Sequence, residues 1–262
     1  GVWRMKNDDG TKVERLTTGA ANPDNDGEYW RLTTTDGTQY YFGLGKRSAA
    51  DTVNTISTWT VPVFGNHAGD PCHESTFAAS HCTQAYRWNL DYVVDPLGNT
   101  MTYYYTTETN YYGRNLNQGV SQYVRGGYLT QIDYAERQGS EHATSAPSQV
   151  VFGVSERCLP SGTITCAESQ LTQATASHWP DLPFDQICGS SSSCPTVVSP
   201  AFFTRKRLTS ITTRVWNGTD YDEVDSWALT HLFPMSGDGT SPSLWHSSSS
   251  ASRTGRYDSP VP

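Results

Sequence analysis

The chain has 262 residues, of which 35% are hydrophobic, 12% aromatic and 17% charged, and its formal net charge is −8. So many aromatic side chains exclude a disordered chain, because they can bury a core. The acidic balance excludes the basic stripe of a nucleic-acid binder, and no apolar run approaches the ~18 residues of a membrane-spanning helix.

The first residues, Gly1-Val2-Trp3-Arg4-Met5, read directly as strand rather than as a secretory leader, so the chain is expected to be a piece of something longer. In "PDNDGE" (23–28), Asp24, Asp26 and Glu28 offer hard oxygen ligands that resemble part of a calcium loop. The segment lacks EF-hand spacing, and an Asx-turn before a strand is the simpler reading. No other cofactor is implied. "EYWRLTTTDGTQYYFGL" (28–44) alternates apolar and polar residues on both sides of Asp36-Gly37, the signature of a β-hairpin.

"AYRWNLDYVV" (85–94) places Tyr86, Trp88, Leu90 and Tyr92 on one strand face, and "MTYYYTT" (101–107) reads as its partner. Residues 126–137 and 148–156 form a further strand pair. So do 204–216 and 221–233, joined through the turn dipeptide Asn217-Gly218. Leu129-Thr130-Gln131-Ile132 recurs weakly as Leu208-Thr209-Ser210-Ile211, and the hairpins of 28–44 and 85–105 share one plan. Repeated hairpins that stack on their neighbours point to a β-solenoid or shell. Arg205-Lys206-Arg207 reads as a solvated strand face.

The expected fold class is therefore all-β: repeated antiparallel hairpins forming a curved sheet or partial shell, with long disulfide-tied loops. Those loops are expected at 63–82, 108–125 and 157–203, the last with hints of helix between 167 and 176. Residues 1–235 read as a single β-rich domain, and 236–262 as a Gly/Ser/Pro-rich tail or linker.

Six cysteines allow 15 pairings. They occur as sequence neighbours in turn-rich loops: Cys72 and Cys82, Cys158 and Cys166, Cys188 and Cys194. Three local disulfides are the expectation, each contributing roughly 2–3 kcal/mol through loop closure, in an oxidising extracellular or cell-wall setting. Cys72-His73 and His81-Cys82 could instead hold zinc, although side chains of adjacent residues on an extended chain point apart.

No catalytic residue is assigned. The seven histidines (67, 73, 81, 142, 178, 231 and 246) are scattered, and no metalloprotease, nucleophile-elbow or phosphate-loop motif is present. A glycosidase would need a facing carboxylate pair, for which Glu28, Asp91, Asp133, Glu136 and Asp225 are candidates. Trp59, Trp179 and Trp245, in or near loops, are the candidates for stacking on a sugar, whereas Trp30, Trp88 and Trp227 are expected in the core.

Asp95-x-x-Gly98-Asn99-x-x-x-Tyr103-x-Tyr105 matches the YD-repeat pattern. With "DDGTKVERLTTGAANPDNDGEYWRLTTTDGTQYYFGL", "WTVPVFGNHAGDPCH", "YVRGGYLTQIDY", "RCLPSGTITCAES" and "FFTRKRLTSITT", it makes most of residues 8–233 resemble the N-terminal portion of large secreted Rhs/YD-repeat proteins of actinobacteria. The resemblance implies a β-shell of the toxin-complex or teneurin-like kind. Such a shell encloses a toxin or displays an adhesion surface, and its partner is the remainder of a larger polypeptide. The resemblance carries no catalytic residue onto this segment, and "WHSSSSASRTGRYDSPVP" from Trp245 departs from the strand pattern. The competing expectation is a carbohydrate-active protein, either a glycan-binding module or a glycoside hydrolase.

Overall fold

A computed structural model describes Trp3, residues 6–141 and residues 143–253. Most of the strand-like opening, His142 and the end of the tail lie outside the described residues. The described residues form twelve strands: β1 (Lys12–Leu16), β2 (Tyr29–Thr33), β3 (Gln39–Phe42), β4 (Thr58–Phe64), β5 (His81–Trp88), β6 (Leu90–Val94), β7 (Asn99–Gly113), β8 (Gly119–Arg137), β9 (Ser148–Glu156), β10 (Lys206–Trp216), β11 (Tyr221–Leu232) and β12 (Trp245–Arg253). Ten of them form one sheet in the order β1-β2-β3-β6-β7-β8-β9-β10-β11-β12, and β4 and β5 form a separate hairpin. All pairings are antiparallel.

The chain is thus an all-β protein built on a ten-stranded antiparallel sheet, with three disulfides. Four expectations are corrected. The strand expected over 85–94 breaks at Asn89, so β5 pairs with β4 while only β6 meets β7. Asn89 is buried, and its backbone N–H and side-chain amide both donate to Ser57 O, which pins the break. The loop expected over 108–125 is mostly strand, because β7 and β8 run on to Gly113 and from Gly119. Part of the tail expected as linker, 245–253, pairs with β11 as the last strand of the sheet. In the segment 157–203, three single 3₁₀ turns (168–170, 176–178 and 184–186) replace the helix hinted at.

The β7–β8 hairpin is the spine. Its register shifts three times, each time leaving one extra residue on β8: Ala135, Thr130 and Arg125. Such bulges bend a strand and re-aim a side chain. Ala135 adopts φ 65°, and the bulged Arg125 is buried.

The two faces of this sheet invert the usual pattern. On β7, Thr100, Thr102, Glu108 and Asn110 are buried, whereas Met101 is 36% exposed and Tyr103 and Tyr105 are half-buried. Directly opposed residues share a face. One apolar row therefore runs Leu32, Tyr40, Val93, Met101, Tyr134, and another Phe152, Ile211, Trp227. The remaining residues of both rows are half-buried rather than buried.

The buried clusters lie elsewhere. Tyr112 and Tyr123 pack with Cys194 and Val197, and Trp179 packs with Cys158, Ile164 and Leu182. In both, the 157–203 segment closes over the sheet or over itself. Of the tryptophans expected in the core, Trp30, Trp88 and Trp227 are only half-buried.

Candidate functional site

The turn that joins β6 to β7 is built by its own side chains. Asp95 Oδ1 accepts from the backbone N–H of Leu97 (2.9 Å) and of Asn99 (2.8 Å), and Oδ2 accepts from Asn99 Nδ2 (2.6 Å). These bonds hold the Asp95 carboxyl below its ordinary value, with the Asn99 side chain as the largest cause. Gly98 sits at φ 78° with open space where a Cβ would be. Gly98→Val therefore meets no clash, only the left-handed backbone, and is expected to cost about 1–2 kcal/mol. Urea unfolding checks this, and unchanged stability would remove the turn from the framework. Tyr105 donates from its hydroxyl to Leu90 O (2.7 Å), while the Tyr103 hydroxyl meets only Met101 Sδ at 4.0 Å.

The acidic segment of 24–28 is largely self-satisfied. Asp24 accepts from the N–H groups of Ala85 (2.6 Å), Asp26 (3.2 Å) and Glu28 (3.3 Å). Asp26 and Glu28 both pair with Arg15, and Glu28 also accepts from Trp30 Nε1. Among the described residues no group of three His, Cys, Asp or Glu is arranged to hold a metal ion. Since Arg15 already supplies the cation, excess calcium or a chelator is expected to leave the melting temperature unchanged; a shift of several degrees would restore calcium to this loop.

All six cysteines are paired, as Cys72–Cys82, Cys158–Cys166 and Cys188–Cys194, with Cα separations of 5.2, 5.8 and 5.9 Å. Zinc on Cys72 and Cys82 is thereby removed, and the His81 ring packs edge-on against Phe64 instead.

Three buried charge clusters organise the loops. First, Asp91 is fully buried. Its Oδ2 accepts from Gly45 N–H (2.8 Å), Thr55 Oγ1 (2.9 Å) and Ser57 Oγ (2.7 Å), while Oδ1 has no hydrogen-bond partner among the described residues. Burial raises its pKa to about 6 against those three bonds. Second, Arg47 grips Asp51 through two bonds (2.6 and 3.2 Å) and reaches Thr102 (3.1 Å) and Glu136 (3.3 Å) on the polar face of the sheet. Burial, assisted by Asp133, Glu141 and Asp51, pushes Glu136 up to about 7 despite Arg47. Asp133 is likewise raised by burial, and a cavity of about 300 Å³ beside it is lined by Tyr104, Thr130 and Gln131.

Third, Glu108 and Glu156 hold the start of β10. Glu108 accepts from Arg125 Nη2 (3.0 Å), Arg205 N–H (3.0 Å) and the Thr204 hydroxyl. Glu156 accepts from Trp179 Nε1 (3.1 Å) and pairs with Arg205 and Lys206. The run Arg205-Lys206-Arg207 is therefore not a solvated face: the Arg205 and Lys206 side chains are 13% and 22% exposed.

Of the five candidate glycosidase carboxylates, Asp133 and Glu136 come together around Arg47. Asp91 is enclosed, Glu28 is held by Arg15, and Asp225 pairs with Arg253. Trp59 and Trp179, expected to offer rings to a sugar, are 4% and 1% exposed, because the β4–β5 hairpin and the disulfide loop bury them; Trp245 is 64% exposed. Sequence reading missed Glu108, Glu156 and Arg47, since their partners lie 17 or more residues away in each case but Asp51.

The fold and these clusters define an all-β scaffold whose loops are fixed by buried ion pairs and disulfides. No known protein family and no curated protein sequence matches the chain. Among solved structures it is similar to the N-terminal domain of effector protein SpvB from Salmonella typhimurium strain LT2, with a TM-score of 0.47 and 15% identity over 93% of this chain and 65% of that one. It is also similar to TcdB2-TccC3-TEV (TM-score 0.40, 12% identity, 90% of this chain and 10% of that one). A third is TcdB2-TccC3-Cdc42 (TM-score 0.32, 11% identity, 90% and 12%). The chain thus spans less than two thirds of the first structure and about a tenth of the other two.

Proposed function

We propose that the chain is a wall segment of a larger secreted β-shell of the Rhs/YD-repeat kind, a scaffold whose partner is the remainder of its own polypeptide. The observation that carries this reading is the half-buried apolar sheet face, from Leu32 across to Trp227, on which the β4–β5 hairpin packs only in part among the described residues, through Trp88 on Trp30 and Trp59 on Tyr105. Contiguous apolar surface of this extent marks an interaction face. Among the described residues the sheet ends in β1, whose outer edge carries one bridge, from Val13 to Trp3, and in β12. Unpaired strand edges accept further strands. The three disulfides favour an extracellular setting. No described helix is long and apolar enough to cross a membrane.

Met101→Cys tests the reading, since every native cysteine is already in a disulfide. The new thiol lies on the open face and is expected to react readily with a bulky polyethylene-glycol maleimide in this segment alone. In the polypeptide read from the complete frame it is expected to react at least about tenfold more slowly, the factor of a 1.4 kcal/mol protection. Equal rates would show that nothing covers the face and would overturn the proposal.

A further inference from the structure

Strands β8 and β9 pair only over Gln131–Tyr134 and Ser148–Val151. Past that point β8 continues with β7 while β9 continues with β10, so the sheet forks. The open end of the fork is closed by the chain leading into β10: Phe203 N–H donates to Arg125 O (3.0 Å), and a Cβ on Gly126 would lie 2.7 Å from Phe203 O. Between that segment and the apex lies a cavity of about 300 Å³, walled by Leu129, Phe152, Val154 and Leu208, with Lys206 and Arg207 as its cations.

The two cations differ. Lys206 is neutralised by Glu156. Arg207 has no carboxylate partner among the described residues. Its Nε donates to the main-chain oxygen of Glu156 (3.1 Å), and its Nη1 faces Nδ1 of His231 at 3.4 Å. A guanidinium only donates, so Nδ1 of His231 is the acceptor and the ring is neutral. His231 is buried, and its ring meets that of His246 at 5.8 Å. Burial first, then Arg207 and His246, hold its pKa below the ordinary value. A partly desolvated cation among basic neighbours, with no counter-anion, is costly unless a ligand supplies one.

We propose that the fork binds an apolar carboxylate: the stem fills the space between Phe152, Val154 and Leu208, and the carboxylate pairs with Arg207. A guanidinium can hold a carboxylate through two parallel bonds, the strongest such pairing available to a side chain. The volume sits at the small end of ligand pockets, which begin at about 300 Å³. A fatty acid and the C-terminus of an apolar peptide share this chemistry.

Calorimetric titration of the wild-type protein with decanoate, decanol and acetate separates charge from stem. Decanoate is expected to bind at least about tenfold more tightly than either, and to move the His231 ring resonances. Arg207→Gln is expected to remove that advantage while leaving decanol binding unchanged. Equal binding of decanoate and decanol to the wild type would overturn the site, with no need for a folded variant. Undiminished decanoate binding to Arg207→Gln would do the same. Acetyl-Leu-Phe acid against its amide completes the test. Tighter binding of the dipeptide acid than of decanoate assigns the carboxylate to a peptide terminus, and the reverse assigns it to a fatty acid.

Discussion

At pH 4, Asp91→Ala is expected to lower stability by about 3–4 kcal/mol. The substitution withdraws one acceptor from three buried donors, Gly45 N–H, Thr55 Oγ1 and Ser57 Oγ. Each buried group left without a partner costs about 1–3 kcal/mol. The two hydroxyls recover part of this, because Thr55 Oγ1 also reaches Gly45 O (3.0 Å) and Ser57 Oγ (3.1 Å). The pH dependence is more diagnostic than the loss itself. Asp91 has its folded pKa raised from 3.8 to about 6 by burial. Its favourable contribution is thus fully present below pH ~4 and disappears as pH rises through ~6. The difference is on the order of 3 kcal/mol, at 1.36 kcal/mol per unit. Asp91→Asn keeps one acceptor oxygen but cannot ionise, so the gap between wild type and variant should narrow or reverse across that window. Glu136 titrates in the same direction in both proteins and cancels from the comparison. Urea unfolding at pH 4 and pH 7 measures the gap, and a gap independent of pH would mean that Asp91 stays ionised throughout.

Asp91 also illustrates what the sequence could and could not disclose. Alternation disclosed that residues near 90 form strand, but alternation has a period and no sign. Nothing local says whether Tyr103 or Thr102 faces the interior, and here the threonine does, because Arg47 arrives from a loop 55 residues earlier to bond it. The break at Asn89 was hidden for the same reason: Tyr86, Trp88, Leu90 and Tyr92 keep perfect alternation across it, while the bonds that make it come from Ser57 and Gly43. The turn at Asp95–Asn99 was readable because all its bonds lie within the turn. The Ser-rich strand β12 was not, since the serines 247–250 have little strand preference and the pairing partner, β11, supplies the order. Residues 108–113 read as loop because Glu108 and Asn110 stand at buried positions. Their partners, Arg125 on the far side of the hairpin and Cys188 N–H in the disulfide loop, are distant in sequence.

Arg125→Met is the second large effect, with an expected loss of about 3–5 kcal/mol, because it strands the Glu108 carboxylate in the interior. Both side chains of the pair are only 6% exposed. At 262 residues such a loss corresponds to roughly 10 °C in melting temperature. The charge, more than the packing, carries the cost: methionine fills most of the aliphatic volume, although it forfeits the contact of the guanidinium with the Phe203 ring, 4.4 Å from its centroid. Glu108→Gln with Arg125→Met should therefore lose less than Arg125→Met alone, since a neutral amide still accepts from Arg205 N–H or the Thr204 hydroxyl and leaves no buried ion. A double-mutant cycle by urea unfolding reads the coupling directly. The damage should also be local before it is global. The bonds of Glu108 to Thr204 and Arg205 tie the start of β10 to the β7–β8 spine, at the open end of the fork between β8 and β9. In Arg125→Met, amide hydrogen exchange should accelerate first at Phe203 and Arg205, whose N–H groups bond across this junction. Acceleration spread evenly over the ten strands would instead mean that the pair supports the sheet as a whole, and that the fork is no separate unit of stability.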